Sequence, residues 1–235
     1  MTEIRSNTEL PSIREEIELF TQDGQTLVGE LSTPVDKSPI ATLITLHPLP
    51  THGGFMDSHL FRKMANRLPH QLSVAVLRFN TRGTQSPRGT SSGEFDGGIA
   101  EQFDVAAAVK FCQERKLPKL WLVGWSFGTE LAIKYGPDHS IEGAILLSPP
   151  LHRATDKDLE RWNHVDAKLV ALVPELDEFL PPADARPRFA IVPKVKLLEF
   201  DGEKHLWVGE SATRRVLDAI AQTVLPGSAP LPTTF

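Results

Sequence analysis

The sequence predicts an α/β fold: a mostly parallel, twisted sheet of roughly eight strands, led by an antiparallel hairpin and covered by helices on both faces, with minimal or no cap. Three observations predict it. Two extended runs near the start flank an Asp23-Gly24 turn, a hairpin signal. Several short, nearly continuous apolar runs rich in β-branched residues follow, as in strands buried on both faces. Segments with helical spacing separate those runs.

The elements follow in order. Ile13–Phe20 alternates apolar and charged residues, and Thr26–Ser32 returns after the turn. Ile40–Leu46 is the first buried strand, and Ser58–Leu68 the first helix, with Leu60, Met64 and Leu68 four apart. Val74–Phe79 is a strand, and Ile99–Cys112 a helix carrying Ile99, Phe103, Ala106 and Val109 on one face. Leu120–Val123, Ala144–Leu147 and Leu169–Val173 read as buried strands, and Val195–Phe200 as a weaker one. Phe127–Tyr135 and Ser211–Val224 read as helices, the latter with Ser211 as N-cap. Pro149–Ala167 has room for one short helix around Lys157–Asn163 and for no large cap. The chain reads as a single domain over 1–235, with an ordered core over about 11–225 and a flexible tail over 226–235.

A net charge of −5 without a basic run argues against nucleic acid as partner. The single cysteine, Cys112, excludes an internal disulfide and fits a reducing compartment. The N-terminus shows no signal-peptide pattern, and the apolar runs are too short to cross a bilayer. These observations predict a cytoplasmic protein that does not engage a membrane. A homodimer is compatible with them.

Two stretches fit G-x-S-x-G: Gly124–Gly128 (G-W-S-F-G) and Gly89–Gly93 (G-T-S-S-G). A nucleophile elbow requires a buried strand before the serine and a helix after it, so that the hydroxyl stands at the strand's carboxyl end. L-W-L-V precedes Gly124 and T-E-L-A-I-K-Y follows Gly128, which supplies both. Gly89–Gly93 lies in a glycine- and serine-rich stretch with no strand before it and reads as a flexible surface connection. Ser126 is therefore the candidate nucleophile.

A serine hydroxyl needs a base and a group that orients the base. In a strand–elbow–helix site of this kind the acid and then the histidine follow the serine in chain order. Glu175, Asp177 and Glu178 all stand after Leu169–Val173, and His205 stands after Val195–Phe200, just before the last helix. The oxyanion requires two backbone N–H donors. Phe127, next after the serine, and Leu49, in the loop H-P-L-P-T-H-G-G, are the candidates, since Pro48 and Pro50 cannot donate. His47 and His52 lack a clustered carboxylate or cysteine at ligand spacing, which argues against a metal site. The substrate-binding candidates are His47, Trp125, Trp207 and Arg82.

The stretches H-P-L-P-T-H-G-G-F-M, L-R-F-N-T-R-G-T-Q-S, G-E-F-D-G-G-I-A-E-Q-F-D and L-V-G-W-S-F-G carry a family likeness. The chain resembles the α/β-hydrolase superfamily from edge to edge apart from its two ends. More narrowly it resembles small bacterial serine hydrolases related to the dienelactone-hydrolase and prolyl-oligopeptidase-like branches. The resemblance implies the triad Ser126, Asp177 and His205, with Asp177 preferred over Glu175 because D-x-x-x-P after a strand is the family's setting for the acid. Relatives often read H-P-H-P where this chain has Leu49 at the third position. That change spares the amide and alters the pocket mouth. Dienelactone hydrolases proper use a cysteine, so serine at 126 argues against that specific activity. Arg82 and Asp104 read as a structural ion pair or helix cap fixing the 81–98 loop, with a substrate-carboxylate clamp at Arg82 or Arg88 as the alternative. The reading as a whole is a serine hydrolase cleaving a small carboxylic ester or thioester through an acyl-enzyme on Ser126, with no cofactor or metal. A non-catalytic scaffold on the same fold and a serine peptidase or amidase are the alternatives.

Overall fold

The computed structural model describes residues 2–235. Strands β1 (Ile13–Phe20) and β2 (Thr26–Thr33) form the leading hairpin, in which Phe20 faces Thr26 across the Asp23-Gly24 turn. Then come β3 (Thr42–Leu46), α1 (His59–Leu72), β4 (Ala75–Phe79) and a two-residue ladder of β5 (Gln85–Ser86) with β6 (Gly89–Thr90). The second half runs α2 (Glu101–Glu114), β7 (Leu120–Trp125), α3 (Phe127–Tyr135), β8 (Gly143–Leu147), α4 (Asp156–Glu160), β9 (Lys168–Pro174), α5 (Pro182–Phe189), β10 (Lys196–Phe200) and α6 (Glu210–Val224).

Eight strands form one sheet in the order β1-β2-β4-β3-β7-β8-β9-β10. β2 pairs antiparallel with β1 and β4, and every other pairing in this sheet is parallel. β4 and β7 flank β3 on opposite sides, so the winding reverses there. In open sheets a crevice forms beyond the carboxyl ends of the strands at such a reversal.

The alternation of side chains divides the core into two layers. Along β7, Leu120 and Leu122 pack with Val105 and Ala108 of α2 and Leu131 of α3. Trp121, Val123 and Trp125 point the other way, among Phe61 and Met64 of α1 and Val216 and Ile220 of α6. β8 repeats the pattern, with Leu146 on the first side and Ile145 and Leu147 on the second. A strand buried on both faces carries no polar alternation, which is why these segments read as continuous apolar runs.

Several boundaries differ from the sequence reading, each for a physical reason. α1 continues past Leu68 through Pro69 to Leu72, because Leu72 buries itself one turn on, in the layer that holds Leu68. α6 starts at Glu210 with Gly209 as its cap, so Ser211 lies in the first turn. Glu210 is drawn there by Lys63 and Arg67 of α1, at 3.1 and 2.6 Å. α5 was not legible as a helix, because Pro182 and Pro187 mask it. Pro182 stands at the helix start, where its missing N–H costs nothing. Between β8 and β9 the chain forms only the short α4 and a 3₁₀ turn over Arg161–His164, so no large cap covers the sheet's carboxyl edge. No helix among the described residues is long and apolar enough to cross a membrane.

Residues 226–235, expected as a flexible tail, pack back onto the start of the chain. Thr2 and Phe235 exchange backbone hydrogen bonds of 2.8 and 3.0 Å, and the Ile4 amide donates to Thr233. Leu231 is buried in the layer of α1 and α6, and its amide donates to Asp218. Leu231→Ala should therefore cost about 2–3 kcal/mol of folding stability, read as a lower urea midpoint. An unchanged midpoint would show that the tail adds nothing.

Candidate active site

β7 ends at Trp125, and the chain turns sharply at Ser126 into α3. Ser126 sits at φ 52°, ψ −117°, a strained backbone region for a non-glycine residue. Both flanking glycines are required by close approach. A Cβ on Gly124 would stand 2.3 Å from the Gly128 carbonyl oxygen, and one on Gly128 would stand 1.8 Å from the Leu46 carbonyl oxygen. The Ser126 amide donates to the Leu147 carbonyl at 2.9 Å, which ties the turn to β8.

Asp177 and His205 follow β9 and β10, whose carboxyl ends lie on the same edge of the sheet. His205 Nε2 stands 2.9 Å from Ser126 Oγ. His205 Nδ1 lies 2.9 and 3.1 Å from the two carboxylate oxygens of Asp177. Asp177 also accepts the amides of Phe179 and Leu180, at 2.9 and 3.3 Å, which fixes the carboxylate in the turn after β9. Both Asp177 and His205 are buried. Glu175 instead accepts the Gly202 amide at 2.6 Å, and Glu178 is exposed. The backbone of His205 is held as well. Its carbonyl accepts Trp125 Nε1–H at 3.1 Å and the Ser148 hydroxyl at 3.0 Å.

Ser126 and His205 open into a cleft of about 370 Å³, whose walls include Leu49, Phe127, Phe179 and Arg153. Leu49 begins a 3₁₀ turn over Pro50–His52, and Phe127 is the first residue of α3. A larger open hollow of about 540 Å³ lies over the outer strands, lined by Glu15, Glu18, Arg88 and Arg115. It contains no nucleophile, so size does not locate the chemistry. No group of three or more His, Cys, Asp or Glu among the described residues could hold a metal ion.

None of the four substrate-binding candidates lines the cleft. His47 is fully buried: Nδ1–H donates to the Pro48 carbonyl at 2.7 Å and Nε2 accepts the Thr81 amide at 3.0 Å. It holds the loop that carries Leu49. Trp125 is turned by the strand's two-residue period into the layer of α1 and α6, where it stacks near His59 at 5.1 Å. Trp207 is fully buried edge-on against Phe200, at 5.1 Å. Arg82 is buried between Asp104, at 2.8 Å, and Asp23, also at 2.8 Å. That is the structural ion pair the sequence suggested, with Asp23 as an added partner. Arg88 likewise lies between Glu30 and Asp57.

Ser91, in the second G-x-S-x-G, is buried. Its hydroxyl donates to the Asn80 carbonyl at 2.8 Å and accepts the Val28 amide at 3.0 Å. This corrects the reading of a flexible surface connection: the segment is clasped to β2. The cleft walls that sequence reasoning missed, Phe179, His152 and Arg153, sit in loops with no periodic signal.

With this geometry in place, comparison with known proteins is informative. A family profile described as the alpha/beta hydrolase fold matches residues 51–206. The chain belongs to the alpha/beta hydrolase fold family. An uncharacterized protein of Rickettsia prowazekii (strain Madrid E) is 30% identical over 118 residues, which span 49% of this chain and 47% of that protein. Among solved structures, an alpha-beta serine hydrolase homologue from Coxiella burnetii superposes with a TM-score of 0.76 at 22% identity, covering 89% of this chain and 97% of that one. A lid-less serine hydrolase from Xanthomonas campestris gives 0.71 at 24%, covering 97% and 100%. An esterase from Pyrococcus furiosus gives 0.70 at 19%, covering 87% and 90%. At these identities the structural likenesses establish the fold of this alpha/beta hydrolase and not its substrate.

The buried imidazole of His47 offers a pH test. Burial pulls its pKa from the usual 6.5 down to about 4. The unfolded chain therefore binds the proton first as pH falls. Its contribution is fully present above about pH 6.5 and is lost on the way down to about pH 4, a change of about 3 kcal/mol. The stability difference between wild type and His47→Asn should narrow by about that amount between pH 7 and pH 4 in urea titrations. A gap that stays constant would contradict the assignment.

Proposed function

We propose that the protein is a serine hydrolase that cleaves small carboxylic esters or thioesters through an acyl-enzyme on Ser126. The observation that carries this reading is the hydrogen-bonded series Ser126 Oγ, His205 Nε2, His205 Nδ1 and Asp177, opening into a cleft without a large cap.

In the first half-reaction Ser126 Oγ attacks the carbonyl carbon while His205 Nε2 takes the hydroxyl proton. Asp177 accepts the Nδ1–H bond and stabilises the imidazolium. The carbonyl oxygen becomes an oxyanion and takes hydrogen bonds from the amides of Leu49 and Phe127. As the tetrahedral centre collapses, the bond to the leaving oxygen or sulfur breaks, and His205 delivers its proton to that atom. In the second half a water gives a proton to Nε2 and adds to the acyl carbon. The Ser126–acyl bond then breaks, the carboxylic acid departs, and Nε2–H returns the proton to Ser126 Oγ. The short β8–β9 connection and the modest cleft favour small acyl groups.

Hydrolysis of 4-nitrophenyl acetate, butyrate and octanoate and of the matching thioesters tests this reading. Activity should be highest on the shorter chains and absent in Ser126→Ala. Asp177→Asn should lower kcat by roughly 10³–10⁴ with little change in thermal melting. Full activity in a folded Ser126→Ala protein would refute the proposal.

A further inference from the structure

The arginines held inward in this protein take their counter-charges from the chain itself. Arg82 is bound on both edges, with Asp104 on its Nε and Nη2 and Asp23 on Nη1 and Nη2. Arg78 lies between Glu30 and Asp57, and Arg88 reaches the same two carboxylates. Arg78 and Arg88 thus share one pair of carboxylates, and buried Arg67 has Glu210 together with the Arg5 carbonyl, so each of these guanidinium groups finds its compensating charge on the chain itself.

Arg153 has one carboxylate. Its backbone amide and Nη1 both go to Glu130, with Nη1 at 3.3 Å, and Glu130 is buried on the first turn of α3. The guanidinium lies over the ring of Phe127, 5.6 Å from its centroid. Nε and Nη2 have no partner among the described residues, about a third of the side chain is exposed, and the residue lines the cleft. It is the one lysine or arginine in that lining.

We infer that the open edge of this one cation in the cleft is filled by the substrate: the cleft takes esters or thioesters whose acyl half carries a carboxylate, held by Nε and Nη2 of Arg153. This deepens the hydrolase reading and rests on it. The acyl half is assigned from the layout of the walls. Arg153 packs on Phe127, whose amide is the proposed oxyanion donor. The leaving group must lie against His205 Nε2, which gives it a proton, and the imidazole packs on Phe179, 4.7 Å ring to ring, whereas Arg153 packs on Phe127. Glu178, the acidic residue of the lining, is exposed and forms no ion pair with Arg153. A planar guanidinium with two open N–H donors matches a carboxylate better than a neutral acyl tail.

The test compares kcat/KM for the monoethyl esters of succinate, glutarate and adipate with that for ethyl butyrate, pentanoate and hexanoate, pair by pair. Wild type should favour the anionic member by about 10- to 100-fold at its preferred length, the range for a charge-assisted pair. In Arg153→Gln the ratio should fall to about 1. Arg153→Gln with Glu130→Gln removes the stranded buried carboxylate, so the ratio can be read in a folded protein if the single variant fails to fold. A wild-type ratio near or below 1, or one unchanged by loss of Arg153, overturns the inference while hydrolysis of neutral esters leaves the hydrolase reading standing. No turnover of either series by folded wild type overturns the inference, and the hydrolase reading with it where the 4-nitrophenyl esters and thioesters are also left intact.

Discussion

A non-glycine residue at φ 52° costs on the order of 1–3 kcal/mol and persists only where its surroundings over-determine it. Ser126 is in that position. Gly124 and Gly128 lie so close to backbone oxygens that neither accepts a Cβ, and the Ser126 amide is tied to β8. The turn thus exists because β3, β7 and β8 are packed side by side, and it would relax if they were not. Everything at the site depends on it. It ends β7 at the sheet's carboxyl edge, starts α3 at Phe127, and leaves Ser126 Oγ facing His205.

The supports around this turn are buried polar contacts with one or two partners each. His47 holds the Leu49 loop, Asp177 is gripped by the two amides of its own turn, and the His205 carbonyl is pinned by Trp125 and Ser148. Farther out, Arg82 joins the β1–β2 turn to α2 through Asp23 and Asp104, and Arg78 joins β4 to β2 through Glu30. These groups are costly to bury singly and favourable only when complete. They hold loops in one arrangement around a cleft that stays open on its capless side.

Much of the fold was legible because double burial removes polar alternation from β3, β4, β7, β8 and β9, and because Ser126 lies between an obvious strand and an obvious helix. His205 followed from chain order, whereas Asp177 could be chosen over Glu175 only through the family resemblance. The cleft walls were a different matter. Trp125 is adjacent to Ser126 and Trp207 is two residues from His205, yet strand period and loop packing turn both away from the cleft. Arg153, Phe179 and His152 come from loops whose side-chain directions no periodicity encodes. Leu231 sits alone among prolines and small residues, so nothing in the local pattern announces that it docks on α6.

The proposal that Ser126 is an activated nucleophile is tested most directly by reacting the folded protein with a fluorophosphonate probe and locating the adduct by peptide mass spectrometry. The account predicts a single adduct on Ser126, absent in Ser126→Ala and retained in Ser91→Ala. An adduct on Ser91, or none on a protein shown to be folded, would contradict it.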